Sequence, residues 1–130
     1  LPKYTPVSVG MQVDATRCAI DAIRYRDKSL WCDIHLGRES VLRIIFSGVL
    51  VHRLIQDAPV NLEESENATG IKPRNLLYEV TGSAFEEGLY PMLSEAYTSY
   101  SHFRAITSDA CVDVICVERP RFLTVAAGGK

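Results

Sequence analysis

The sequence predicts an α+β domain that is mainly β: an N-terminal helix, then a bent antiparallel sheet or small barrel with a short helical insertion. Three observations predict it. Apolar residues in the first thirty positions recur at helical spacing. From Leu30 the period changes to two. Ser83 and Glu86 stand three residues apart before a run that includes Leu89, Tyr90 and Met92, the pattern of a capping box.

Residues 1–10 read as an extended lead-in, punctuated by Pro2, Pro6 and Gly10. The helix is expected next. At 100° per residue, Asp14, Arg17, Asp21, Arg24 and Lys28 share a narrow charged stripe. Met11, Ala15, Cys18, Ala19, Ala22 and Ile23 share the opposite face. Arg26 would enter that apolar face, so the helix is expected to end near it. The stripe reads as a solvated face laced with local ion pairs.

Leu30, Cys32, Ile34 and Leu36 then alternate with Trp31, Asp33 and His35, the mark of a half-buried strand. Residues 37–40 suit a hairpin loop and 41–46 a second strand. Gly48 marks a bulge or bend, with 49–54 a third strand or the bent remainder of the second. Residues 56–75 read as a polar loop, and Asn67-Ala68-Thr69 as an accidental sequon. Residues 76–80 form a strand, and the capping box opens a helix that Pro91 breaks or restarts. Tyr90, Tyr97 and Tyr100 are expected to pack that segment on the sheet. Strands follow at 102–106 and, alternating, at 110–117, with a turn at 107–109 between them. An edge strand covers 122–125 and a frayed tail 126–130.

The chain has 130 residues, 47% apolar and 23% charged, which suits a single domain over 1–130 with an ordinary core. Net charge is −2, without the basic excess of a dedicated nucleic-acid binder. Residues 1–60 carry a net +2 and residues 61–130 a net −4. The most apolar region, 41–55, is interrupted by Arg43, His52 and Arg53, so no membrane span is expected. Four cysteines would permit two disulfides in three connectivities. The start of the chain lacks an apolar signal core, and free thiols in a reducing cytoplasm are the expectation.

Residues 30–122 resemble a pattern found in small, conserved hypothetical bacterial proteins. It is carried by Trp31-Cys32-Asp33-Ile34, Arg43-Ile44-Ile45-Phe46, Ser83-Ala84-Phe85, His102-Phe103, Thr107-Ser108-Asp109, Asp113-Val114-Ile115 and Pro120. The element order is also similar to the Sm-like fold, in which a helix precedes a strongly bent five-stranded barrel. That resemblance implies ring assembly and RNA binding. The usual Asp/Asn pair and Arg-Gly pair of that family are missing, and the insertion at 83–97 is foreign to it.

Three histidines are present, none at metal-ligand spacing from another His or a Cys, so neither a metal nor a cofactor is expected. His35 and His52 are placed on exposed strand faces. His102 and Asp113 lie on consecutive strands joined by a short turn, where a carboxylate can orient an imidazole. With Asp109 they form the candidate binding site, against the reading of a structural pair that pins strand register. Cys111 beside them lacks a cation or helix N-terminus to activate it as a nucleophile. No catalytic motif is found. The expected function is therefore a non-enzymatic binding or assembly protein, acting on a protein partner or on itself. RNA binding as an Sm-like oligomer is one alternative. An immunity-type protein that neutralises a toxin is the other, because an acidic face from the second half would suit a basic nuclease.

Overall fold

The structure, a computed structural model, describes residues 2–37, 40–56, 71–72, 74–96 and 99–126. Among the described residues, nine strands form two antiparallel sheets. They are β1 (Lys3–Val7), β2 (Ala19–Arg26), β3 (Ser29–His35), β4 (Ser40–Ser47), β5 (Val49–Gln56), β6 (Leu77–Thr81), β7 (Ser101–Ile106), β8 (Ala110–Cys116) and β9 (Arg121–Ala126). One sheet has the order β1-β6-β7-β8-β5 and the other β2-β3-β4-β9. The helix α1 (Ala84–Ala96) lies between β6 and β7 in the chain.

The two sheets meet at a common core. Leu30, Cys32 and Ile34 of β3 and Leu42, Ile44 and Phe46 of β4 face Leu77 of β6, Phe103 and Ala105 of β7, and Val112, Val114 and Cys116 of β8. All are buried. Alternate residues of β7 and β8 point the other way, yet β8 is buried along its whole length. Of its outward side chains, Asp113 is covered by His102, Arg104 and Arg53, and Phe85 of α1 packs on His102 and Arg53 above it.

The fold is therefore two open sheets rather than a barrel, and the expected N-terminal helix is replaced by a strand. Asp14 caps only a single 3-10 turn, Ala15–Arg17, and Ala19–Arg26 then pairs with β3. The pairing register slips between Ile20 and Ala22, a β-bulge. Because of the extra residue, Ile20 and Ile23 both turn to the core. Their spacing of three imitates a helical face. Asp27 and Lys28, with φ of 51° and 63°, then form the turn into β3. The lead-in is also partly structured, because Lys3–Val7 pairs with β6.

Gly48 is the corner at which the chain leaves the four-stranded sheet and enters the five-stranded one. Its φ is +66°, and a Cβ there would lie 3.1 Å from the Cβ of Val117. The Val117 amide donates to the Gly48 carbonyl at 3.0 Å. The Ser83 cap forms as expected: the Glu86 amide donates to Ser83 Oγ at 3.0 Å. The helix nevertheless runs unbroken through Pro91 to Ala96, with Leu93 buried. Tyr90 points to solvent rather than to the sheet, Tyr100 is half-buried, and Tyr97 lies outside the described residues. So do the sequon and most of the polar loop, 57–70 and 73, and the tail 127–130.

Candidate functional site

The structure brings His102 and Asp113 together and leaves Asp109 apart. β7 and β8 pair so that Arg104 stands opposite Asp113, and β5 places Arg53 on its other side. One carboxylate is therefore flanked by a guanidinium on each neighbouring strand. Asp113 Oδ1 accepts from Arg104 Nε at 2.5 Å and from His102 Nε2 at 2.6 Å, and Oδ2 accepts from Arg53 Nε at 2.7 Å. Arg104 Nη1 reaches the Tyr4 hydroxyl on β1. Asp109 sits at the exposed end of the β7–β8 hairpin, where it accepts from Thr107 Oγ1 at 2.9 Å.

Burial pushes the Asp113 carboxyl up. The His102 hydrogen bond, the Arg104 charge and the Arg104 hydrogen bond outweigh it and hold the group well below the usual carboxylate range. An ionised carboxylate only accepts, so His102 Nε2 carries a proton. His102 Nδ1 lies 2.8 Å from Ser83 Oγ, the same oxygen that caps α1.

Ser83, His102 and Asp113 thus form a chain with the residue types of a nucleophile, a base and its orienting acid. All three are fully buried. Ser83 Oγ is occupied by the Glu86 amide, and Phe85 covers the imidazole with ring centroids 5.3 Å apart. The arrangement ties the start of α1 to the sheet, and a substrate has no access to the Ser83 oxygen without moving the helix. Cys111 Sγ, 3.9 Å from Asp113 Oδ2, is sealed in the same layer.

The other sheet presents a different surface on its outer side. Across β2, β3, β4 and β9, Arg24, Trp31, Ile45 and Arg121 stand opposite one another in one row. They line a groove of about 520 Å³ with Arg26, Asp27 and Ser29. In the next row Arg43 donates to Asp33 through Nε at 2.7 Å and through a second nitrogen at 2.9 Å. The Arg43 guanidinium lies 4.6 Å from the centre of the Trp31 ring. Trp31 is 38% exposed, and Leu123, opposite Arg43, is 50% exposed. Among the described residues no carboxylate pairs with Arg24 or Arg121, whereas Arg26 leans on Asp27 at 3.5 Å.

The helix expected from Met11 to about Arg26 hides this face. It places Arg24 on a helical stripe remote from Trp31. The available signal was the alternation of Ile23 and Tyr25 with Arg24 and Arg26 up to the Asp27-Lys28 turn. Arg53, Arg104 and Tyr4 were missed because a partner across a sheet leaves no trace in sequence spacing.

His52 lies on an exposed face as expected, its ring 5.1 Å from that of Tyr25, and His35 is half-buried and accepts from the Gly37 amide at 3.1 Å. Among the described residues no group of metal-ligating side chains is drawn together, and no helix is long and apolar enough to cross a membrane. No family model, curated protein or solved structure matches this chain.

Proposed function

We propose that this chain is a non-enzymatic binding protein, that the Trp31 face is its contact surface, and that its partner is a protein surface rich in carboxylates. The observation that carries the reading is the row Arg24–Trp31–Ile45–Arg121, which combines an exposed indole with two arginines that have no carboxylate partner among the described residues. Tryptophan and arginine are the residues most enriched at the energetic centres of protein interfaces. The indole is already packed against Arg43, which Asp33 pins in a forked ion pair, so little side-chain freedom is lost on binding. Asp27 and Asp33 on the same face favour a protein partner over a continuous phosphate track. The four thiols are free and buried, which supports a reducing compartment, the cytoplasm, as the protein's location.

Trp31 is the sole tryptophan, so its emission reports directly on this face. A tyrosine-containing oligoglutamate peptide is expected to shift that emission saturably, and less strongly as salt rises. Arg24→Glu and Arg121→Glu should each abolish the shift, and oligolysine should give none. An emission that ignores the acidic peptide at low salt would sink the reading.

A further inference from the structure

We propose that the occupant of the Trp31 face is the acidic outer side of α1 from a second copy of this chain, so that the protein associates with itself head to tail. The inference rests on the assignment of the Trp31 face as a contact surface. α1 carries no basic residue, and of its glutamates Glu87 and Glu95 are exposed on the solvent side while Glu86 is half-buried. Tyr90 and Met92 on the same helix, 58% and 57% exposed, are the most exposed large apolar side chains among the described residues. The two surfaces are complementary in charge: two arginines beside an indole on one, Glu87 and Glu95 on the other, with Tyr90 and Met92 exposed on opposite flanks of the helix.

The dimensions agree. From Glu87 to Glu95 the helix rises about 12 Å. The four-strand row spans three strand spacings, about 14 Å. Within one copy the two surfaces cannot meet. The Trp31 row is on the outer side of the four-stranded sheet, whereas α1 covers His102 and Ser83 on the outer side of the five-stranded sheet. The contact is therefore between copies and joins unlike patches. Such a contact leaves a free surface at each end, which propagates into a chain or closes into a ring.

Light scattering over a concentration series tests this with the whole protein. The expected mass rises with concentration and falls on adding salt. Arg121→Glu alone and Glu87→Arg alone should each hold the protein at monomer mass. Both residues are exposed, and unchanged circular dichroism would show the fold intact. Mixing the two variants, or combining both changes in one chain, should restore the rise, because the reversed charges match again. A wild-type protein that stays monomeric throughout overturns the proposal, as does a rise that neither variant affects. The oligoglutamate titration separates the two readings. A monomer whose Trp31 emission still responds to the peptide loses the self-partner and keeps the contact face. A monomer that responds to oligouridylate instead overturns the proposal in favour of single-stranded RNA, and one that responds to neither loses both readings.

Discussion

Asp113 balances three cationic or proton-donating neighbours in a layer closed to water, so the cost of removing it is set by what remains. With Asp113→Asn, Arg104 stays fully buried beside a neutral amide. Breaking a buried pair from one side costs about 3–5 kcal/mol, and urea unfolding should register a loss of that order. Arg53→Ala removes a cation whose side chain is 35% exposed, so solvent screening reduces its loss to about 1 kcal/mol. The same carboxylate gives stability a pH dependence of definite sign. Its folded pKa lies below the unfolded value of about 3.9, so the folded state binds fewer protons in the window between the two. The contribution is complete above the unfolded value and disappears as pH falls through the folded one. The urea midpoint should therefore drop from about pH 5 downward, and the drop should be shallower in Asp113→Asn. An unchanged acid limb in that variant would contradict the role given to Asp113. Ser83→Ala removes both the cap of α1 and the partner of His102 Nδ1. Loss of the cap alone costs about 1 kcal/mol, and an unsatisfied buried imidazole nitrogen adds about 1–3 kcal/mol.

The elements differ in how far local sequence decides them. α1 contains Pro91, which has no amide to donate to Glu87 and crowds that turn. Pro91 is exposed and contributes little packing, so Pro91→Ala should raise the melting temperature, by up to about 3 kcal/mol of stability. A lower melting temperature would mean that the proline shapes the helix against the sheet. Gly48→Ala should act oppositely. A side chain at a φ of +66° costs about 1–2 kcal/mol, and the Cβ would also press on Val117. The Ser83 cap and the corner at Gly48 were legible because each depends on near neighbours, whereas the break expected at Pro91 is overridden by the continuous helix. The strand from Leu30 and the hairpin that joins His102 to Asp113 were legible for the same reason, since a period of two marks the first and a short turn the second. β2 was not legible. Its bulge between Ile20 and Ala22 gives two core residues a helical spacing, and only the register with β3 distinguishes the two structures. The burial of Asp113 was equally hidden. It depends on Arg53 of β5 and Phe85 of α1, which only tertiary packing brings to β7 and β8.

At the scale of the molecule, the four thiols report on whether the sheets come apart together. Cys32 lies on β3 of the four-stranded sheet, and Cys111 and Cys116 lie on β8 of the five-stranded one. Cys18 precedes β2, and its carbonyl receives the Ser108 amide at 3.0 Å, a bond between the two halves of the sandwich. All four are buried. Burial, with Asp33 nearby, pushes the Cys32 thiol up to about 12. Burial and Glu118 do the same for Cys116. A thiol reagent attacks the thiolate, so both low access and high pKa protect the native protein. Cys32 and Cys116 belong to one core shared by the two sheets. Neither can be exposed without opening the interface that buries the other. At neutral pH the folded protein should therefore react with an aromatic disulfide reagent only through opening, and Cys32 and Cys116 should label at one common rate. That rate should follow the urea dependence of global unfolding. Fast labelling of Cys116 with Cys32 protected would instead mean that the five-stranded sheet opens alone. The sandwich would then consist of two cooperative units rather than one.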